Sequence, residues 1–256
     1  MITANLIGGL SNQMFQIATC FALAADNYDQ CSFPFDAEVG GQGNKTRTYI
    51  NNIFRNISER TTCKSGYVYR EESLDYKPIP YKQGMTIQGY FPSEKYFDHR
   101  KEEIYNLFVC KEIIEELQNK YAGFLKNSVS VHVRRGDYVL SPTFLPPQKI
   151  EYYESGLKII DGKKEINNII VFSDDMQWCY DNFCDERVTF IHQEDYVDLY
   201  LMSLCENNII SNSGFSWWAS YLNRNTDKIV IAPSVWFEDK PYTDFKGCYR
   251  DEMIII

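Results

Sequence analysis

Apolar and polar positions follow two different rhythms along this chain. In the second half, short aliphatic and β-branched runs recur at Ser128–Val133, 168–172, Val188–Ile191, 208–210 and 228–231. Between them lie stretches with helical spacing, at about 148–160, 176–183, 195–206 and 215–223. Over 195–206, Val197, Leu201, Leu204 and Cys205 fall at i, i+4, i+7 and i+8, one face of a helix. Strands alternating with helices predict β-α-β units, hence a parallel sheet with helices on both faces. Five such strands predict a doubly wound domain of nucleotide-binding type.

The first half is less regular. Residues 2–7 read as a strand, Gly8-Gly9 as a turn and 12–25 as an apolar helix. The stretch 36–90 is mixed, with a loop at Gly40-Gly41-Gln42-Gly43 and a strand at 86–89. From 93 to 125 the spacing predicts a long helical stretch, since Ile104, Leu107, Phe108, Ile114, Leu117, Tyr121 and Phe124 keep a 3–4 period. It leads into the strand at 128, which places a boundary near 126 between a first domain, 1–125, and a second, 126–256.

Composition narrows the class. The 256 residues are 44% hydrophobic and 24% charged, a soluble globular profile long enough for one large core or two smaller ones. A net charge of -9 argues against a surface that coats nucleic acid or anionic membrane. The charge is uneven: residues 1–125 carry 13 basic and 15 acidic side chains, and 126–256 carry 13 and 20. The more acidic half nevertheless holds the adjacent pair Arg134-Arg135, so an anion would be handled at a local site. The 19 Tyr, 16 Phe and 4 Trp suit sugar or nucleobase pockets, and a tight aromatic core equally.

No signal peptide is visible: the first basic residue is Lys45, and Gly8-Gly9 breaks the early apolar stretch. No run of ~18 apolar residues predicts a transmembrane segment. A cytoplasmic location is expected, with peripheral membrane association left open. The eight cysteines read as mostly buried thiols of a reducing compartment, because a chain of this length folds without disulfides. No C-x-x-C and only three His speak against zinc. Asn44-Lys45-Thr46 and Asn56-Ile57-Ser58 spell glycosylation acceptors, a pattern common by chance.

In an open α/β sheet, ligands bind beyond the carboxyl ends of the strands. His132 lies near the end of the first strand of the second half, and Arg134, Arg135, Gly136, Asp137 and Tyr138 follow it. Ser173, Asp174 and Asp175 follow the next, His192-Gln193-Glu194 the third, and Ser211-Asn212-Ser213-Gly214 the fourth. The last turn opens a helix that Ser213 or Ser216 can cap. Its free N–H groups can receive a phosphate, with Arg134 or Arg135 as a bidentate clamp; as a plain cap it is only structural. Asp174-Asp175 can bind a divalent metal, accept hydrogen bonds from a ribose or purine edge, or cap the next helix; no third carboxylate stands at metal-site spacing. Gly8-Gly9-Leu10-Ser11-Asn12-Gln13 is neither a G-x-G-x-x-G fingerprint nor a P-loop.

These residues resemble a known family. His132-Val133-Arg134-Arg135-Gly136-Asp137-Tyr138 is similar to the H-x-R-R-G-D-Y motif of the alpha-1,2-fucosyltransferases. Segments 8–15 (G-G-L-S-N-Q-M-F), 89–97 (G-Y-F-P-S-E-K-Y-F) and 207–223 resemble the same family, as do Ser173-Asp174-Asp175 and 231–237. The matches run in order from residue 8 to residue 237. Ser11 stands where the family usually has Gly, and Gly214 where Thr is common.

The resemblance implies a GT-B-like α/β enzyme of two Rossmann-type domains facing a cleft, acceptor-side at 1–125 and GDP-fucose-binding at 126–256. It implies transfer of L-fucose from GDP-L-fucose to the 2-hydroxyl of a β-galactoside glycan, with inversion and with no metal or other cofactor. With no metal, fixed cations and helix N–H groups must stabilise the leaving diphosphate. That role falls to Arg135, helped by Arg134 and the helix start at Ser213 and Ser216, with Phe215, Trp217, Tyr138 and Gly9 at the same donor site. His132 would orient phosphate or ribose, and Ser173, Asp174 and Asp175 would reach guanine or ribose. Asn12 and Gln13 would close over the reacting centre. Asp137 would take the hydroxyl proton, or else be held by an Arg as a structural ion pair. Two other classes stay in view: a metal-dependent nucleotide phosphohydrolase using Asp174 and Asp175, and a carbohydrate-binding protein using its aromatics.

Overall fold

The computed structural model describes residues 1–35, 45–59, 66–238 and 245–256. The expected loop at Gly40-Gly41-Gln42-Gly43, with Asn44 and Cys63, lies outside the described residues. The chain divides into two compact units, Met1–Ile113 with Lys246–Cys248, and Ile114–Phe245 with Tyr249–Ile256.

The first unit carries a parallel sheet in which β3 (Thr86–Gln88) lies between β1 (Thr3–Ala4) and β2 (Val68–Arg70). Its three residues and exposed pattern give β2 no apolar alternation, so the sequence does not announce it. The helix after β1 is α1 (Leu10–Asp26), slightly longer than expected. Its entry is pinned by Gln16, whose buried carboxamide accepts from the Ile7 N–H at 2.9 Å and donates to the Ile7 carbonyl at 3.2 Å. Gly8 has φ +76°, the left-handed region that favours glycine, and a Cβ there would collide with Asn12. The turn therefore needs glycine for its own geometry.

The long helix expected over 93–125 is broken. Two short 3₁₀ turns, Glu94–Tyr96 and Asp98–Arg100, precede α2 (Lys101–Phe108), and α3 (Lys111–Leu125) follows. Phe108, Val109 and Cys110 are all buried. The chain extends at Val109 (φ −104°, ψ 119°) between the two helices and starts again at Lys111.

The second unit holds a six-stranded, wholly parallel sheet of β4 (Ser128–Val133), β5 (Asn168–Ser173), β6 (Val188–Ile191), β7 (Asn207–Ile209), β8 (Val230–Ala232) and β9 (Met253–Ile255). Their order is β6-β5-β4-β7-β8-β9. Successive strands step outward from β4 to one side and then, from β7, to the other. This is the doubly wound order, with a switch point between β4 and β7. The five expected strands are present; β9, three residues at the chain's end, completes the edge.

The pattern of β4, Ser-Val-Ser-Val-His-Val, shows how the sheet is held. All six residues are buried, as central parallel strands are on both faces. Val129, Val131 and Val133 pack into a core with Tyr153, Leu157 and Ile160 of α4 (Ile150–Asp161). Ser128, Ser130 and His132 take the opposite face, which is polar but satisfied. Asn208 donates to Ser130 Oγ at 2.7 Å and to the Met202 carbonyl at 2.8 Å. Asn223 donates to Asn208 Oδ1 at 2.8 Å and to the Cys205 carbonyl at 2.7 Å. These bonds tie the two central strands to α6 (Asp195–Leu204) and to the end of α7 (Gly214–Leu222).

One buried acid gives this unit a pH dependence. Asp198 in α6 is 6% exposed and accepts the Gln193 N–H at 3.1 Å. Burial pushes its carboxyl up to about 7. The unfolded chain releases that proton near pH 4, so the folded state is penalised as pH rises from there to 7. Asp198→Asn keeps the acceptor for Gln193. It should therefore raise stability at pH 8 by about 2–4 kcal/mol relative to its effect at pH 4. Thermal unfolding of both proteins at the two pH values checks this; parallel shifts at both would refute it.

Cys20, Cys110, Cys179, Cys205 and Cys248 are buried free thiols, Cys31 is half-buried and Cys184 is exposed. No helix among the described residues is long and apolar enough to cross a membrane.

Candidate active site

The polar residues that follow the strands converge at the β4/β7 switch point. His132, buried at the end of β4, places Nδ1 2.9 Å from both Ser211 Oγ and Ser216 Oγ. Its imidazole is pushed down to about 3, first by burial and then by the charge of Arg134. His132 is therefore neutral at physiological pH, and its ring lies tilted against Phe215, 5.5 Å between centroids. Ser213 caps α7, with Oγ accepting from the Phe215 N–H at 3.3 Å.

Arg134 and Arg135 leave the strand into an acidic frame. Arg134 reaches Asp137 Oδ1 at 2.6 Å and Asp174 Oδ2 at 3.0 Å. Arg135 donates from its main chain to Asp174 Oδ1 at 2.9 Å and from Nε to Asp175 Oδ2 at 3.1 Å. Its guanidinium lies over the Trp178 ring, 4.4 Å from the centroid, in a cation–π contact. Among the described residues the two terminal nitrogens of Arg135 have no hydrogen-bond partner, so the fork that matches a phosphate stays open. Asp175 also caps α5 (Met176–Asn182), accepting from the Trp178 N–H at 3.2 Å, and Ser173 Oγ accepts from the Asp175 N–H at 2.9 Å. The capping alternative for this acidic pair and the ion-pair alternative for Asp137 are thus both realised in this structure.

Gly136 fits the same frame by size. A Cβ there would come within 2.5 Å of Asp174 Oδ2, an oxygen already held by Arg134. Any side chain at 136 must displace the carboxylate that both arginines use.

Of the expected residues, His132, Arg134, Arg135, Asp137, Tyr138, Ser173, Asp174, Asp175, Ser213, Phe215 and Ser216 gather at this edge. Trp217 does not join them with its side chain. It is 0% exposed, stacked on Tyr221 at 5.2 Å and 11° and set edge-on to Trp218, so α7 turns it into the core. Gly9, Asn12 and Gln13 belong to the first unit. There Gly9 is the N-cap of α1, and buried Gln13 donates to the Gly8 carbonyl at 3.1 Å and accepts from Thr46 Oγ1 at 3.0 Å. Among the described residues no three of His, Cys, Asp and Glu are grouped as a metal would require.

Two further residues shape the site. Trp178 supplies the face under Arg135, and its place in the apolar pattern of α5 hid that role. Asn212 joins three loops. Its carbonyl accepts from Tyr138 Oη at 2.9 Å, and its carboxamide donates to the Pro146 and Trp236 carbonyls at 3.1 and 3.0 Å while accepting from Gln148 at 3.3 Å. Only the turn composition around Asn212 hinted at this.

A doubly wound sheet with an arginine pair at its switch point is the framework of an enzyme that binds an anionic nucleotide. Solved structures share the fold. The chain matches the glycosyl transferase family 9 protein from Veillonella parvula with TM-score 0.55 and 11% identity, over 100% of this chain and 86% of that one. It matches the fucosyltransferase NodZ from Bradyrhizobium with TM-score 0.51 and 12% identity, over 86% and 91%. The family model of glycosyl transferase family 11 matches residues 1–256, and the chain belongs to that family. An alpha-1,2-colitosyltransferase of Escherichia coli is 30% identical over 97% of this chain and 96% of its own length. The O-antigen biosynthesis glycosyltransferase WbnK of Escherichia coli is 29% identical over 91% and 93%. The galactoside alpha-(1,2)-fucosyltransferase 2 of Oryctolagus cuniculus is 27% identical over 91% and 69%.

Proposed function

We propose that the protein transfers L-fucose from GDP-L-fucose to the 2-hydroxyl of a terminal β-galactoside, with inversion at the anomeric carbon. The observation that carries this reading is the Arg134-Arg135 pair at the β4/β7 switch point of a family 11 chain. The galactoside 2-hydroxyl oxygen attacks the anomeric carbon as the bond to the β-phosphate oxygen breaks, and GDP leaves with the electron pair. Arg135 and Arg134, with the N–H groups at the start of α7, meet the charge that grows on the diphosphate.

Ser173, Asp174 and Asp175 are assigned to the nucleoside side and Asp137 to the hydroxyl proton. Arg134 holds Asp137 at 2.6 Å, and a diphosphate that recruits Arg134 releases this carboxylate. Donor binding is assigned to 126–256 and acceptor handling to 1–125, with Gly9 assigned to the donor and Asn12 and Gln13 to closing over the reacting centre. The free thiols support a cytoplasmic setting, and no cofactor is assigned.

The identity to an alpha-1,2-colitosyltransferase favours one alternative donor, GDP-colitose. Incubation with each GDP-sugar and a panel of β-galactosides, followed by linkage analysis, separates the two. We expect a 1,2-linked fucosyl product with stoichiometric GDP, and no change on adding EDTA. Colitosyl transfer alone would reassign the donor, loss of product on chelation would overturn the metal-free mechanism, and a different linkage would overturn the acceptor.

A further inference from the structure

We propose that Ser211 locks His132 in the neutral tautomer that carries its proton on Nε2, so that His132 serves the donor as an uncharged N–H hydrogen-bond donor. Ser211 is then a positioning residue for the reaction. The inference rests on the donor-site reading above and assigns the chemistry of one of its residues.

Hydrogen counting carries the argument. Ser211 is fully buried, and its hydroxyl has one side-chain partner, His132 Nδ1 at 2.9 Å. A buried hydroxyl that leaves its proton without an acceptor costs free energy. Among the described residues the Ser211 proton has only Nδ1 to go to, so Nδ1 must present its lone pair. Ser216 does not reverse this. Its hydroxyl lies 2.9 Å from the same Nδ1 and 3.4 Å from the Ser213 carbonyl, so its proton has two acceptors. A ring whose Nδ1 accepts and which stays neutral carries its proton on Nε2.

Charge and access agree with the count. Arg134 is the charged neighbour of the ring and opposes an imidazolium. Ser211, Ser216 and Phe215, which touch the ring, are uncharged. Nε2 makes no hydrogen bond among the described residues, yet it is not one of the fully enclosed polar atoms left without a partner. His132 keeps 5% of its surface, and this nitrogen belongs to it. The open N–H lies on the residue two before Arg134, at the same strand end. A neutral donor suits this place, because it can bind a phosphate or ribose oxygen without adding charge that must be neutralised when GDP leaves. It also excludes His132 as the base for the acceptor hydroxyl, since Nδ1 is engaged and Nε2 is protonated.

Nitrogen-15 NMR of the histidine-labelled wild-type protein reads the tautomer directly, with His132 assigned by its loss in His132→Gln. We expect an unprotonated Nδ1 and a protonated Nε2, unchanged from pH 5.5 to 8. A protonated Nδ1, or an imidazolium in that range, would overturn the proposal, whether or not the protein proves to be a fucosyltransferase. Kinetics supply the second readout. His132→Gln places an amide N–H near the Nε2 position and should hold the donor KM within about 5-fold. His132→Asn, too short to reach, should raise it by about 10-fold or more. In Ser211→Ala the tautomers should mix, and the donor KM should rise while the acceptor KM holds. Equal donor KM values for the Gln and Asn variants would also sink the idea. Absence of fucosyl transfer in the wild type would instead sink the donor reading and leave the tautomer result standing.

Discussion

Arg135→Ala should lower fucosyl transfer by at least about 10²–10³-fold, with the protein still folded. The magnitude follows from the chemistry assigned to the site. A diphosphate leaving group gathers charge as the anomeric bond breaks, and a preorganised cation is worth several kcal/mol in the transition state. Arg135 suits this because its guanidinium is already placed, by Asp175 at Nε (3.1 Å) and by the Trp178 ring against its plane (4.4 Å). Little ordering remains to be done when the donor arrives. Its loss leaves Asp175 exposed enough to be solvated, so stability should fall by no more than about 1 kcal/mol. Arg135→Lys is the sharper control. It keeps the charge but loses the planar fork and the stack, and should recover only a small part of the rate. Steady-state kinetics with both substrates, beside circular dichroism, decide the matter. Near-normal turnover in the alanine variant would remove Arg135 from the mechanism.

Trp217→Ala should act in the opposite way, on the fold and not on the donor. The ring is wholly enclosed, stacked on Tyr221 and edge-on to Trp218, and the buried Arg250 guanidinium lies over it at 5.2 Å. Truncation leaves a cavity the size of an indole, and such changes cost about 3–5 kcal/mol. Removing the face beneath a buried cation adds to that cost. At about 2–4 °C per kcal/mol for a chain of this length, the melting temperature should fall by roughly 10 °C or more. Trp217→Phe should recover much of the loss with the donor KM unchanged. A large rise in donor KM in the phenylalanine variant, with stability preserved, would instead make Trp217 a ligand contact.

These two residues show how unevenly the site could be read along the chain. Arg134 and Arg135 were legible because a charged pair directly after a buried strand has no packing explanation. Asp174 and Asp175 were legible as a pair, but their partners were not. Sequence distance hides that Asp174 serves the main chain of Arg135 and the side chain of Arg134 together. Trp217 sits beside Phe215 and Ser216 in sequence, yet a helix turns each residue by about 100°, so neighbours face different surroundings. Trp178 and Asn212 escaped for the converse reason. One looked like an ordinary core aromatic and the other like an ordinary turn residue, and only their partners from distant segments give them work.

The fold shows the same division. By itself the sequence determined the alternation of strands and helices in the second half, because period 2 and period 3.6 are local properties of the chain. It determined the positions of the polar turns and, through ordered motifs, the family. Tertiary structure alone decided the strand order, and with it which two of six strand ends meet at the switch point. It alone divided the 93–125 stretch at Val109, where the backbone turns extended between two helices. It alone neutralised His132, since burial and the charge of Arg134 do so and neither can be read from a histidine in a strand. Periodicity is set by neighbours a few residues apart. Burial, charge and hydrogen-bond partnership are set by residues up to 84 positions apart, as His132 and Ser216 are, and those come together only when the chain has folded.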